Sequence, residues 1–206
     1  WYSHPNLFAI NIVGKRDMIS FKNIVLSLSL VTSSALCNAI EVGGTLPDFS
    51  VPTKGELIID GSKIQHKPWS TQQITEGTPA LVFHVAARMS SDAIIAPLKE
   101  RLNAKDYEPG SFQSISVINL NDALWGTAGF VGSELEKNKR EHPKAILVAD
   151  DKGSGIAAWE LQKGTVAFIL VDSKGVIRYL KQGKLTQSDI DTIITMLDEE
   201  IAKSKS

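Results

Sequence analysis

TPALVFHVAARMSSDAIIAPLKERL, running from Thr78 to Leu102, is the stretch on which the fold turns. Ala80 to Ala87 is a continuous apolar run broken only by His84. It is too short for a typical helix and predicts a strand buried on both faces of a sheet. The run ends at Arg88-Met89-Ser90-Ser91-Asp92, whose hydroxyls and carboxylate offer N-cap chemistry for a helix carrying Ile94, Ile95, Leu98 and Leu102. Pro97 falls inside that helical pattern. It lacks an N–H and crowds the carbonyl four residues back, which predicts a kink.

A buried strand, a tight turn and a helix kinked at Ala96-Pro97 resemble the active-site element of the thioredoxin superfamily. There the turn carries Cys-x-x-Cys, the first thiol is activated by the helix N-terminus, and the proline follows at a fixed offset. Aligned on Ile95-Ala96-Pro97, the two cysteine positions fall on Met89 and Asp92. The superfamily's cis-proline, which faces the dithiol, corresponds to Val166 in Gly164-Thr165-Val166-Ala167. A cis bond without proline would cost about 3 kcal/mol or more. The resemblance therefore implies a redox-inactive member rather than a thiol-disulfide oxidoreductase, with no cofactor.

With 206 residues, 43% hydrophobic and a net charge of −1, the chain suits one domain with a sizeable core. It shows no basic excess that would point to nucleic acid. His4, His66, His84 and His142 lie far apart without ligand spacing, so no metal site is expected. The chain opens on Trp1, and a better start lies at Met18, so residues 1–17 are set aside as an upstream or misassigned segment. From Met18 the order is Lys22, an apolar run from Ile24 to Val31, and Cys37-Asn38-Ala39 as a cleavage site. That pattern predicts a signal peptide over 18–39, cleaved after Ala39, and a periplasmic protein. The run is too short to span a bilayer, so no transmembrane segment is expected after cleavage. Cleavage also discards the one cysteine, Cys37, and with it any dithiol chemistry. A rival reading makes Cys37 the lipidated first residue of a lipoprotein, although Leu36 stands where a small residue is expected.

Residues 40–206 read as a single thioredoxin-like α/β domain, a three-layer α/β/α sandwich with a mixed sheet and a small N-terminal hairpin. Gly44-Thr45-Leu46-Pro47-Asp48-Phe49 resembles the opening of peroxiredoxin-like and periplasmic thioredoxin-like domains, whose aromatic packs under the sheet. Turn signals at Thr53–Glu56 and Asp60–Ser62 flank Leu57-Ile58-Ile59 and give the hairpin ahead of Trp69. Phe112 to Leu120 is a second core strand with Ile115, Val117 and Leu120 on one face. A loop from Asn119 to Gly129 precedes a charged helix, Ser133 to Glu141, expected to cover an edge or face solvent. Ala145 to Ala149 is a third strand, ended by turn residues Asp150-Asp151-Lys152-Gly153, and Ile156 to Leu161 is a short helix around Trp159. Thr165 to Asp172 and Val176 to Leu180 form a hairpin turning at Gly175. Thr186 caps a last helix with Ile190, Ile193, Ile194, Leu197 and Ile201 on one face.

Over about residues 41 to 203 the chain resembles the YtfJ family of secreted bacterial proteins. The residues that carry this are Gly55-Glu56-Leu57, Lys67 with Trp69, His84 with Arg88, Asn119-Leu120-Asn121-Asp122-Ala123, Phe130-Val131 with Ser133, Leu135-Glu136 and Asn138-Lys139, and Ala157-Ala158-Trp159-Glu160-Leu161. The resemblance implies a periplasmic thioredoxin-fold protein without the dithiol.

Candidate binding residues follow. His84 is either a base titrating near neutral pH or an interior histidine bonded to one partner. Arg88, beside the free N–H groups of the next helix, either binds an anion or peptide carboxylate or pairs with Asp92. Ser90 and Ser91 lack a base at readable spacing and read as caps. Asp122 and Trp125 sit on a long loop near where a ligand would approach, and Thr165 lies across the groove. The first expectation is a periplasmic protein that holds an unknown peptide or protein partner at this groove. The alternatives are a cysteine-free enzyme using His84, Arg88 and Asp122, and a lipoprotein anchored through Cys37.

Overall fold

The computed structural model describes residues 39–74, 76–123 and 128–205, so the expected signal peptide, Cys37 and Trp125 lie outside the described residues. The elements in chain order are β1 (Ser50–Asp60), β2 (Lys63–Ser70), β3 (Ala80–Ala86), α1 (Met89–Ala104), β4 (Gln113–Asn119), α2 (Ala128–Glu141), β5 (Ile146–Asp150), α3 (Ser154–Trp159), β6 (Val166–Val171), β7 (Ile177–Gln182) and α4 (Gln187–Ser204). The strands form one sheet in the order β2-β1-β5-β4-β3-β6-β7. β5, β4 and β3 run parallel, while β6, β7 and the β1–β2 hairpin run antiparallel to their neighbours.

β3 sits between β4 and β6, and every one of its residues is buried. Period two then sorts its side chains. Leu81, Phe83 and Val85 join Leu98 of α1 and Ile190, Ile193, Ile194, Leu197 and Ile201 of α4 in one core cluster. Ala80 and Val82 face the other way, with Ile115 and Val117 of β4, Trp69, and Trp159 of α3. Phe49 packs on that second side, its ring edge-on to Trp69 at 5.6 Å and to Trp159 at 4.8 Å. The expected mixed α/β architecture is therefore what forms. α1 runs through Pro97 without a break.

Five local expectations are corrected. Thr53–Glu56 does not turn the chain. It lies inside β1 as an irregularity in the pairing with β2, and Gly55 both takes φ +69 and sits where a side chain would run into the Lys67 carbonyl. Leu120 leaves the face shared by Ile115 and Val117, because the strand stops at Asn119 and the chain enters a 3-10 turn, Leu120–Asp122. Leu120 consequently packs on the α1/α4 side. α2 begins at Ala128 rather than Ser133, and it does more than cover an edge. Val131 and Leu135 pack on the first cluster, and buried Lys139 donates to the carbonyls of Pro143 (3.1 Å) and Ala145 (2.7 Å). α1 starts at Met89 with Arg88 as N-cap and no side-chain cap, so neither Ser90 nor Ser91 caps it. Asp150, read as a turn residue, is the last residue of β5 and fully buried.

Candidate functional site

The carboxyl ends of the parallel strands β3, β4 and β5 converge, and the buried polar residues His84, Ser91, Asn119 and Asp150 gather there. Arg88 stands two residues beyond the end of β3. Its backbone is extended (φ −134, ψ 144), which swings the side chain off the strand just before α1 winds. Arg88 Nε donates to the Asp122 carbonyl at 3.3 Å, not to Asp92. The guanidinium lies over Gly164, where an added Cβ would stand 3.0 Å from Arg88 Cζ. Gly164 has φ +74, so both its conformation and the arginine above it require a residue without a side chain. The Asp122 carboxylate completes the brace, accepting from Asn119 Nδ2 (2.9 Å) and from the Gly164 amide (3.1 Å).

The Arg88 guanidinium is thus held beside the first turn of α1, whose N–H groups have no side-chain cap. Met89 projects from that turn with 82% of its surface exposed, while Ser90 and Asp92 are also exposed. Ser91 turns the other way and is buried, its hydroxyl donating to the Ala86 carbonyl at 2.7 Å. Across the gap, the Thr165 carbonyl accepts from the Ala86 amide at 3.1 Å, and Val166 is wholly buried opposite Val85. Val166 fills the sheet. Met89 does not fill the groove.

His84 belongs to the same end of the sheet but to its interior. It is 2% exposed, its ring lies 6.1 Å from that of Trp159, and a Cβ on Gly155 would come within 2.9 Å of its Cδ2. Burial, which penalises the charged ring, lowers its pKa to about 4. The nearby charges of Asp150 and Asp122 and a hydrogen bond to its own backbone oppose that shift. Nε2 is sealed and has no hydrogen-bond partner among the described residues.

Asp122, Arg88, Ser90 and Thr165 therefore share one rim, His84 and Ser91 lie beneath it, and Trp125 is outside the described residues. Sequence reading missed Asn119, Asp150, Gly155 and Gly164. Asp150 accepts from the amides of Lys152 (3.3 Å) and Gly155 (2.9 Å), which fixes the start of α3 and presses Gly155 onto His84. The readable signal was a carboxylate at the very end of an apolar strand, followed five residues on by glycine. Among the described residues, no group of three His, Cys, Asp or Glu side chains is placed to hold a metal ion. No described helix is long and apolar enough to cross a membrane.

The chain matches YtfJ_HI0045, described as a bacterial protein of unknown function, over residues 40–200. It is 30% identical over 169 residues to an uncharacterised protein of Haemophilus influenzae, covering 82% of this chain and 91% of the relative. It is 27% identical to the uncharacterised protein YtfJ of Escherichia coli, covering 86% of this chain and 96% of that one. Among solved structures, it resembles a putative thiol:disulfide interchange protein DsbE from Chlorobium tepidum (TM-score 0.55, 17% identity, 79% of this chain and 99% of the other). It also resembles a thiol peroxidase from Chromobacterium violaceum (TM-score 0.52, 18% identity, 78% and 88%). At these identities the likeness is one of fold, and that fold is thioredoxin-like.

Proposed function

The chain belongs to the YtfJ family of bacterial proteins, and from that premise we propose that it is a periplasmic binding protein that uses a thioredoxin fold without dithiol chemistry. The single observation that carries this reading is the pre-set Arg88. A cation is fixed between Gly164 and the Asp122 carbonyl, next to the uncapped first turn of α1 and the exposed Met89 side chain. Uncapped helix N–H groups and a guanidinium together favour a carboxylate, and the exposed thioether adds apolar contact. The partner is therefore an acidic segment of a peptide or protein, held across Arg88, Ser90 and Thr165. Chemistry on thiols has no place here, because Met89 and Asp92 stand at the dithiol positions and the one cysteine, Cys37, falls in the proposed leader.

The enzyme reading built on His84, Arg88 and Asp122 is less well supported. Asp122 accepts from Arg88 and its charge acts on His84, but the His84 ring is sealed behind Gly155 and Trp159, where it meets no substrate. The lipoprotein reading rests on Cys37 alone. Mass analysis of the exported protein separates it from the favoured one, since a chain starting at Ile40 supports the periplasmic reading and an acylated Cys37 overturns it.

Crosslinking in intact cells tests the binding claim. The native chain is expected to be recovered with a covalently attached partner, and Arg88→Glu to lose it while keeping its circular dichroism spectrum. Equal recovery with native and Arg88→Glu chains would overturn the assignment of the site.

A further inference from the structure

On the α1/α4 side of the sheet, α2 and the β1–β2 hairpin leave a cavity of about 340 Å³ between them. Ligand pockets run from about 300 to 1,000 Å³, so this one suits a small metabolite. Its walls are apolar: Leu57 of β1, Ala149 of β5, Leu120 beyond β4, and Val131 and Leu135 of α2. Its mouth is charged, with Lys54 and His66 contributed by the hairpin, Glu136 by α2 and Asp151 by the segment after β5.

Two features mark it as more than a packing fault. A Cβ built on Gly132, which lines the cavity from α2, meets nothing within 4 Å, so the helix leaves space that a common residue would fill at no steric cost. Glycine inside a helix destabilises by about 1 kcal/mol relative to alanine, and Gly132 is exposed, so a larger side chain there is free to reach over the cavity. Three residues of the mouth, all exposed, are also unpaired. Asp151 accepts from Thr53 at 3.3 Å, but Lys54, His66 and Glu136 have no hydrogen-bond or ion-pair partner among the described residues. Lys54 and the His66 ring stand on the hairpin and a free carboxylate on the helix, so opposite charges, Lys54 and Glu136, rise from opposite walls.

We propose that this cavity binds a small zwitterion with an apolar body, of the class of the apolar amino acids. The side chain enters the Leu57–Val131–Leu135 walls, the carboxylate meets Lys54 and His66, and the ammonium meets Glu136. A mouth of both signs matches a dipolar ligand better than a singly charged one, which would place its charge opposite a like charge. The site adjoins the groove at Arg88 through the Leu120–Ala123 turn but uses different side chains.

Calorimetric titration of the purified chain with leucine, 4-methylpentanoate and isoamylamine tests this, the three sharing a body and differing in charge. Leucine is expected to bind about fivefold tighter than either analogue, each of which lacks one of its two charges. Gly132→Leu is expected to abolish leucine binding. Glu136→Gln is expected to weaken leucine about fivefold while leaving 4-methylpentanoate unchanged or tighter. Should Gly132→Leu fail to fold, Glu136→Gln and the analogue series still decide. Binding of 4-methylpentanoate or isoamylamine as tight as leucine overturns the dipolar assignment, and no leucine binding at millimolar concentration overturns the site.

Discussion

α1 and α4 pack on the same face of the sheet and both start from a residue of extended backbone, yet their N-termini are finished in opposite ways. At α4 the end is closed. Thr186 Oγ1 accepts from the Asp189 amide (3.2 Å), the Asp189 carboxylate accepts from the Thr186 amide (2.7 Å), and the same carboxylate receives Lys181 (2.7 Å) and Tyr179 (3.0 Å). Those partners, Lys181 first, hold the Asp189 carboxyl well below its usual range. At α1 nothing comparable is spent on the helix. The N-cap is an arginine whose side chain points to Asp122 and Gly164, the one buried hydroxyl of the turn donates inward to Ala86, and Met89 stands in solvent. The same backbone problem, free N–H groups, is solved for stability at one end of this face and left open at the other. That is why the binding role is assigned to α1.

The comparison can be strained from its interior outward. The largest effect is expected at His84, beneath the open end. Its folded pKa of about 4 lies below the ordinary 6.5, so the folded chain binds fewer protons than the unfolded one between those values. The stability its neutral ring supports is complete above about pH 6.5 and falls as the pH drops toward 4, by about 3 kcal/mol in all. Urea unfolding of His84→Leu is expected to show this slope removed, and an unchanged slope would mean that the ring is not held neutral. Next comes Gly164→Val, which forces a branched residue into positive φ against the Arg88 guanidinium. A loss of about 2 kcal/mol, together with loss of partner binding, is expected. Thr186→Ala opens the closed end and is expected to cost about 1 kcal/mol by thermal unfolding. Ser90→Ala, at the already open end, is expected to change stability by less than about 0.5 kcal/mol. If Ser90→Ala cost as much as Thr186→Ala, the contrast between the two ends would fail.

Much of this fold was legible in residues 78–102, because an apolar run with no polar alternation has few ways to fold other than as a doubly covered strand. α4 was legible for the same reason at a different period, with Ile190, Ile193, Ile194, Leu197 and Ile201 all buried as read. The site was only half legible. Arg88 and Ser90 were picked from their place between strand and helix, Asp122 from its loop and Thr165 from the groove that the resemblance implies, and Arg88 with Asp122 does form the brace. What escaped were residues defined by distant partners. Gly164 and Gly155 are required by Arg88 and His84, which lie 76 and 71 positions earlier and leave no local trace. Asp150 looked like a turn because Asp-Asp-Lys-Gly usually is one. Only the sheet shows that β5 ends one residue later, inside the core. Gly55 misled in the same way, since a bulge and a turn use the same residue for the same positive φ.

The most direct test of the account places a photo-crosslinking side chain at Ser90, in the first turn of α1, and in a parallel chain at Ser188, in the first turn of α4. Irradiation of intact cells is expected to give a protein adduct from position 90 that Arg88→Glu removes, and none from position 188. Equal adducts from both positions, or an adduct at position 90 that survives Arg88→Glu, would contradict the claim that the open end of α1 is where this protein binds.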